Sequence, residues 1–336
     1  MTMTNDMYLA NIADPKDMEQ APSRDGYGKG LVEAGEQDER VVVLCADLAE
    51  STRSHWFAER FPERFIEVGV AEQNLATLAS GIASYGKIPF IASYATFSPG
   101  RNNEQIRTNI CINNVPVKIV GSHAGVSVGP DGATHQALED IALMRVMPRM
   151  VVLVPCDAPQ AQKATVAAAF NGNPTYLRMA REKMPVVTTD KTPFEIGKAQ
   201  VFREGDDVAI IACGSQVYDA LRAAQELEKD GVSCMVVNNH TVKPMDEATV
   251  VAAAERCGRV VTVEEHQVAA GMGSAVAEVL ARKYPVPIEF VGMQDRFGES
   301  GNPHELLKHF GLDVAGIKEA VSRVLKRKKK RVTQKK

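Results

Sequence analysis

Long apolar runs are missing from this chain, which leaves no segment able to cross a membrane as a helix. Its apolar stretches, such as those ending at Cys45 and Val154, are far shorter than the roughly 20 residues a bilayer needs. Residues 1–23 are polar, carry acids and contain no apolar core of a secretory signal. Together these absences point to the cytoplasm. Paired cysteines are missing too: the six stand singly at 45, 111, 156, 213, 234 and 257, with no Cys-x-x-Cys spacing. Zinc binding and disulfides therefore give way to buried, reduced thiols. A basic body is the third absence. The net charge of −3 includes eight Lys or Arg within residues 326–336, and without them it falls to −11. A basic run of this kind reads as a solvated, disordered tail, and the acidic body offers no groove for nucleic acid. No short-period repeat is present.

What the chain does have is an ordinary globular composition, 45% hydrophobic and 24% charged over 336 residues, enough for two domains. Apolar, β-branched runs at 41–45, 88–92, 117–120, 151–154 and 175–178 alternate with alanine-rich stretches of helical period, as at 72–85 and 159–170. The alternation predicts a mostly parallel sheet with helices on both faces. Residues 182–198 break it with Met184-Pro185 and Thr192-Pro193, and it resumes with strands at 208–212, 234–237, 260–263 and 288–291. The intervening helices are expected at 217–229, 246–255 and 273–284. The expected plan is α/β throughout: a lead-in over 1–20, a first domain over 21–183, a linker over 184–198, a smaller domain over 199–325 and the tail over 326–336.

Residues 121–136 are the densest chemical stretch. Four glycines and a proline exclude a regular helix or central strand, so they form a shaped loop holding His123, Asp131 and His135. The loop follows the strand at 117–120 and precedes a helical pattern at 137–147, the place where open α/β sheets bind ligands. Glu72 falls in the first turn of its helix, where a capping acid is equally at home. Asp47 and Ser51, just past the first strand, suit a turn and an N-cap. Arg24, Arg178 and Arg181 are candidate anion binders. The segment Ala270-Gly-Met-Gly-Ser274 lacks the dinucleotide spacing and reads as a tight turn. Phe297-Gly-Glu-Ser-Gly-Asn-Pro303 is turn-rich and carries no evident role.

In order and spacing, Ala46-Asp47-Leu48 with Ser51, Gly69-Val-Ala-Glu-Gln-Asn-Leu75, Thr96-Phe97 and the run from His123 through Asp131-Gly132 to Thr134-His135-Gln136 resemble the pyrimidine-binding domain of transketolase. Residues 195–325 resemble that family's C-terminal domain. The resemblance implies thiamine diphosphate as cofactor and transfer of a two-carbon ketol unit between sugar phosphates of the pentose phosphate pathway. It implies that Glu72 bonds the pyrimidine ring nitrogen and that Phe97 packs on the ring, with Asp47 and Leu48 also at the cofactor. His135 and His123 match histidines lining the substrate channel, and Asp131 matches the acid that reads a sugar hydroxyl. Arg24, Ser51, His123 and Arg181 match a phosphate clamp, while Arg178 matches less well. The family's further aromatics after Phe97 are replaced by Ser98-Pro-Gly-Arg-Asn-Asn103, which leaves Arg101 either facing the site or facing solvent.

The family's diphosphate-binding domain, with its Gly-Asp-Gly motif, has no counterpart in these residues. The chain thus resembles the C-terminal half of a split transketolase. A separate N-terminal subunit is expected to supply the ligands of the diphosphate and of a divalent metal, Mg or Ca, in a heterotetramer. This chain is expected to contribute no metal ligand. Relatives using the same cofactor are the alternatives: a 1-deoxyxylulose-5-phosphate synthase, or the β subunit of a 2-oxoacid dehydrogenase E1. A non-catalytic scaffold is the remaining reading, opposed by the presence of Glu72, His123 and His135.

Overall fold

The computed structural model describes residues 3–12 and 18–328. The strands of the first half are β1 (Gln20–Ala21), β2 (Val41–Cys45), β3 (Phe65–Glu67), β4 (Ile88–Tyr94), β5 (Lys118–Ser122), β6 (Val151–Leu153), β7 (Thr175–Arg178) and β8 (Met184–Pro185). The second half adds β9 (Gln200–Arg203), β10 (Val208–Ala212), β11 (Cys234–Asn238), β12 (Thr241–Lys243), β13 (Val260–Gln267) and β14 (Ile288–Met293). The helices are α1 (Ser23–Gln37), α2 (Ala49–Thr52), α3 (His55–Arg60), α4 (Glu72–Ser84), α5 (Asn103–Gln105), α6 (Asp140–Arg145) and α7 (Ala158–Phe170). They continue with α8 (Gln216–Lys229), α9 (Glu247–Cys257), α10 (Met272–Lys283), α11 (Pro303–His309) and α12 (Val314–Lys326).

The architecture is α/β in two domains, as the alternation predicts. The first sheet has the order β12-β6-β7-β5-β4-β2-β3 and the second β14-β13-β10-β11-β9. Within each, every pairing is parallel except the antiparallel edges β12 on β6 and β9 on β11. The Val-Val-Val-Leu-Cys run of β2 is buried at every position, because helices cover both faces of a parallel sheet. One face packs on α1 and α7 through Tyr27, Leu31, Ala161 and Ala164; the other packs on α4 through Leu75, Ala76 and Ala79. The second of these cores runs on without a break into the second domain, taking in Val242, Val276 and Leu280.

Several elements differ from the sequence expectation. Helix α1 has no clear signal in the sequence, because Gly26, Gly28, Gly30 and Gly35 depress its propensity. Packing explains the glycines: a Cβ at Gly26 would stand 1.9 Å from the Ala158 carbonyl oxygen, so α1 lies against α7 backbone to backbone. The helical pattern expected at 137–147 shortens to α6. In the expected linker, β8 pairs with β1 as a small separate ladder. The lead-in makes contacts of its own: the Thr4 amide donates to the Phe202 carbonyl at 3.3 Å, the Ala10 amide to the Val187 carbonyl at 2.8 Å, and Ile12 is buried. Helix α12 continues to Lys326, and residues 329–336 of the basic tail lie outside the described residues. All six cysteines are buried and none forms a disulfide. Among the described residues no helix is long and apolar enough to cross a membrane.

Candidate active site

Strands β2, β4, β5 and β7 are neighbours in the first sheet, so the loops leaving their carboxyl ends share one edge. Those loops carry Asp47, Leu48 and Ser51; Phe97 and Arg101; His123 to Gln136; and Arg181. Two of the residues have left-handed backbone, Asp47 at φ 56° and His123 at φ 57°, a conformation that non-glycine residues hold only when their surroundings enforce it. At Asp47 the enforcement comes from Glu67, whose carboxylate accepts the Asp47 amide at 2.7 Å and the Gly69 amide at 2.8 Å.

Glu72 opens α4 and is only 3% exposed. Its carboxylate does not cap the helix. The Arg101 Nη1 donates to its Oε2 at 2.7 Å, and the same guanidinium lies over the Phe97 ring at 4.7 Å from the centroid. The buried Asn102 side chain ties the two segments together by donating to the Glu72 carbonyl at 3.0 Å. Arg101 therefore faces the site, bridging the acid and the aromatic that the motif singles out.

Beside this pair is a stack of rings. Tyr94 lies against His123 at 4.0 Å and against Phe97 at 6.1 Å, and the edge of His135 meets Phe97 at 5.3 Å. His123 is buried, with Nδ1 2.8 Å from the Ser122 hydroxyl and Nε2 3.4 Å from an Arg24 nitrogen. A guanidinium only donates, so Nε2 holds the lone pair and Nδ1 the proton. Burial pushes the His123 pKa down to about 3, reinforced by Arg24, Arg181, Arg53 and His135. The ring is neutral at physiological pH. Burial also lowers Arg24, with Arg53 and Arg181 adding to it. Three guanidiniums thus crowd one neutral imidazole against two close carboxylates, Asp25 at 2.6 Å from Arg53 and Glu182 at 3.5 Å from Arg181. Such a surplus of positive charge suits an anion.

The expected residues do not all sit as the sequence suggests. Ser51 is inside α2 and caps nothing; its carbonyl, not its hydroxyl, meets Arg24, at 2.9 Å. Leu48 is the residue before that helix. Arg181 donates to the Val128 carbonyl at 2.6 Å and so also props the loop. Asp131 is exposed at the end of a 3-10 turn over Val126–Asp131. Arg178 is no anion binder: it is buried, with Nε 2.8 Å from Asp140 and Nη2 2.9 Å from the Glu265 carbonyl. The Ala270–Ser274 turn is closed to outside anions as well, because the Met272 and Gly273 amides at the start of α10 already hold Glu264, at 2.7 and 2.8 Å. Arg53 and Tyr94 escaped the sequence reading. Arg53 lies two residues past Ser51 in no pattern, and Tyr94 precedes Phe97, whereas the family's further aromatics follow it. Among the described residues no three His, Cys, Asp or Glu side chains lie together as a metal site.

Comparison with known proteins gives this edge a lineage. The family described as transketolase, pyrimidine binding domain, matches residues 19–186, and that described as transketolase, C-terminal domain, matches residues 197–317. The chain belongs to the transketolase family. A putative transketolase C-terminal section from Methanocaldococcus jannaschii is 42% identical, over 90% of this chain and 96% of that protein. A 6-deoxy-6-sulfo-D-fructose transketolase subunit from a Clostridium species is 40% identical, over 91% of this chain and 95% of that one. Among solved structures, a split gene transketolase described as an inactive beta4 tetramer superposes with a TM-score of 0.85 at 46% identity, covering 90% of this chain and 98% of the other. This transketolase chain carries both matched domains on one polypeptide and spans nearly the whole length of these relatives.

Proposed function

We propose that this chain is the C-terminal subunit of a thiamine diphosphate-dependent transketolase that moves a two-carbon ketol unit between sugar phosphates. The observation that carries the reading is the trio Glu72, Arg101 and Phe97. A flat, N–H-bearing cation spans a buried carboxylate and an aromatic face, which is the donor set and shape an aminopyrimidine would need. Bound there, thiamine diphosphate supplies the reactive carbon and the electron sink. Glu72 holds the pyrimidine ring nitrogen and sets its proton, Phe97 supports the ring, and Asp47 and Leu48 line the same edge.

The remaining residues take the substrate. Arg24 and Arg181, with Arg53 beside them, attract its anionic end. His123, kept neutral, offers a lone pair to a hydroxyl without adding charge. His135 stands at the ring edge as hydrogen-bond donor or proton shuttle, and Asp131 reads a hydroxyl next to the reacting carbonyl. The sulfonated sugar named for the Clostridium relative ends in an anion too, so the clamp leaves the sugar open while fixing the charge at its end. The diphosphate and metal ligands, for Mg2+ or Ca2+, come from an N-terminal partner subunit.

The test is ketol transfer from xylulose 5-phosphate to ribose 5-phosphate by this chain combined with an N-terminal transketolase subunit, thiamine diphosphate and Mg2+. Turnover by the pair, absent from either chain alone and reduced at least about a hundredfold in Glu72→Gln, is the expected result. A stable complex that transfers no ketol unit from this donor or from a sulfonated ketose would sink the reading.

A further inference from the structure

Nothing in the sequence gives the second domain a part in the chemistry, yet the loop at 123–136 is built largely on it. Val126 and Leu138, at the two ends of the loop's core, belong to the apolar cluster of the second sheet, α8 and α12. Glu265 of β13 is fully buried. Its carboxylate accepts the Ser127 amide at 2.6 Å and the Ser215 hydroxyl at 3.0 Å. Gly125, at φ 93°, has no room for a side chain, since a Cβ there would stand 2.3 Å from that carboxylate. Two residues on, the Gln267 amide donates to the Leu138 carbonyl at 2.9 Å.

A second brace comes from the turn-rich segment at 297–303. Gln136 is buried and donates from Nε2 to the Val126 carbonyl at 3.0 Å and to the Glu299 carbonyl at 2.9 Å. Its Oε1 occupies the space a side chain at Gly298 would need, 1.9 Å from a Cβ there. Pro303 closes on Gly129, and the Ser300 hydroxyl on Gly132. The two braces grip the loop on either side of Asp131 and directly beside His135.

We infer that Glu265 and Gln136 are positioning residues through which the C-terminal domain sets the shape of the loop carrying Asp131 and His135, and with it the affinity for the donor sugar. Neither residue touches substrate. Glu265 acts through the Ser127 amide and the 3-10 turn that ends at Asp131; Gln136 acts through its own backbone, next to His135. The kinetic half of this inference rests on the transketolase reading, and the structural half does not.

The experiment compares wild type with Glu265→Ala, Glu265→Gln and Gly298→Ala by two measurements. Hydrogen exchange on the full chain alone reads the loop. Kinetics with the N-terminal subunit, with donor sugar and thiamine diphosphate titrated separately, read its consequence. Glu265→Ala and Gly298→Ala are expected to speed exchange of amides 126–135 by about tenfold while α4 and β2 keep wild-type exchange. The donor KM is expected to rise by about tenfold, with half-saturation by thiamine diphosphate unchanged. Glu265→Gln, which keeps an acceptor for the Ser127 amide, should restore most of both. Gly298→Ala carries the test should Glu265→Ala fail to fold. Wild-type exchange in the loop overturns the inference. So does a loss in which donor KM, cofactor saturation and melting temperature worsen together, since that marks a merely structural role. An inactive wild-type pair sinks the functional reading instead, while the exchange data still decide whether the second domain shapes the loop.

Discussion

His123 is a site residue whose protonation departs far from that of a free histidine. Its folded pKa, about 3, lies below its ordinary 6.5. The unfolded chain therefore takes up the proton first, and the stability conferred by a neutral ring is lost as pH falls from about 6.5 towards 3. Its ring signals in NMR should not titrate between pH 5 and 8, and His123→Asn should flatten the acid side of the melting-temperature profile. A midpoint near 6.5 for this ring would refute the crowding of three guanidiniums around it. Arg101 gives the second prediction at this scale. Its pair with Glu72 has one half-exposed partner, so it is worth no more than about 1 kcal/mol. Under the proposed function the guanidinium must leave Glu72 and Phe97 before the pyrimidine can settle there. Arg101→Ala should then lower half-saturation by thiamine diphosphate up to about fivefold, read by titration with fluorescence or circular dichroism. A weakened cofactor affinity would make Arg101 a ligand of the cofactor instead.

At the scale of elements, two glycines in two helices should respond in opposite ways. Gly26→Ala forces a methyl into the Ala158 carbonyl and should lower unfolding free energy by about 1–3 kcal/mol. Gly81 of α4 has nothing within 4 Å of an added Cβ, so Gly81→Ala should raise it by about 0.5–1 kcal/mol in dilute denaturation. Equal effects would mean that α1 does not approach α7 as described. The same contrast explains what the sequence could show. Helices α4 and α7 were legible because their alanines serve both propensity and packing, and β2, β4 and β10 because buried parallel strands are continuous apolar runs. Helix α1 was not, since close approach demanded residues that propensity disfavours. Strand β12 was not, being three residues whose partner, β6, lies in the other domain. In the site, Glu72, Phe97, His123 and His135 were legible through a motif in register. Arg53 and Tyr94 were not, because only the fold brings them to His123, and the structural part of Arg178 was only half legible because its partner, Asp140, is distant in sequence.

For the molecule as a whole, the outward face of α4 is an uncovered apolar surface. Leu78 is 37% exposed and Tyr85, just past the helix, 91%, and they line one surface with Asn74, Gly81 and Ile82. The face starts beside Glu72. A similar split gene transketolase is described as an inactive beta4 tetramer, and self-association of this chain through the α4 face is the prediction drawn from its exposed apolar side chains. Light scattering should find wild type as a dimer or larger at micromolar concentration, and Leu78→Asp with Tyr85→Asp as a smaller species of unchanged circular dichroism. A monomeric wild type would leave the face for the N-terminal subunit. Strand β12 has a different bearing on the whole. It is donated by the second half of the sequence, yet it pairs with β6 at the rim of the first sheet. Cut at the linker, the first half would show β6 as a bare rim of unpaired amides and carbonyls, a template for sticking to its own kind. The polypeptide is thus stitched across its two halves, and fragments divided there should precipitate where the intact chain stays dissolved.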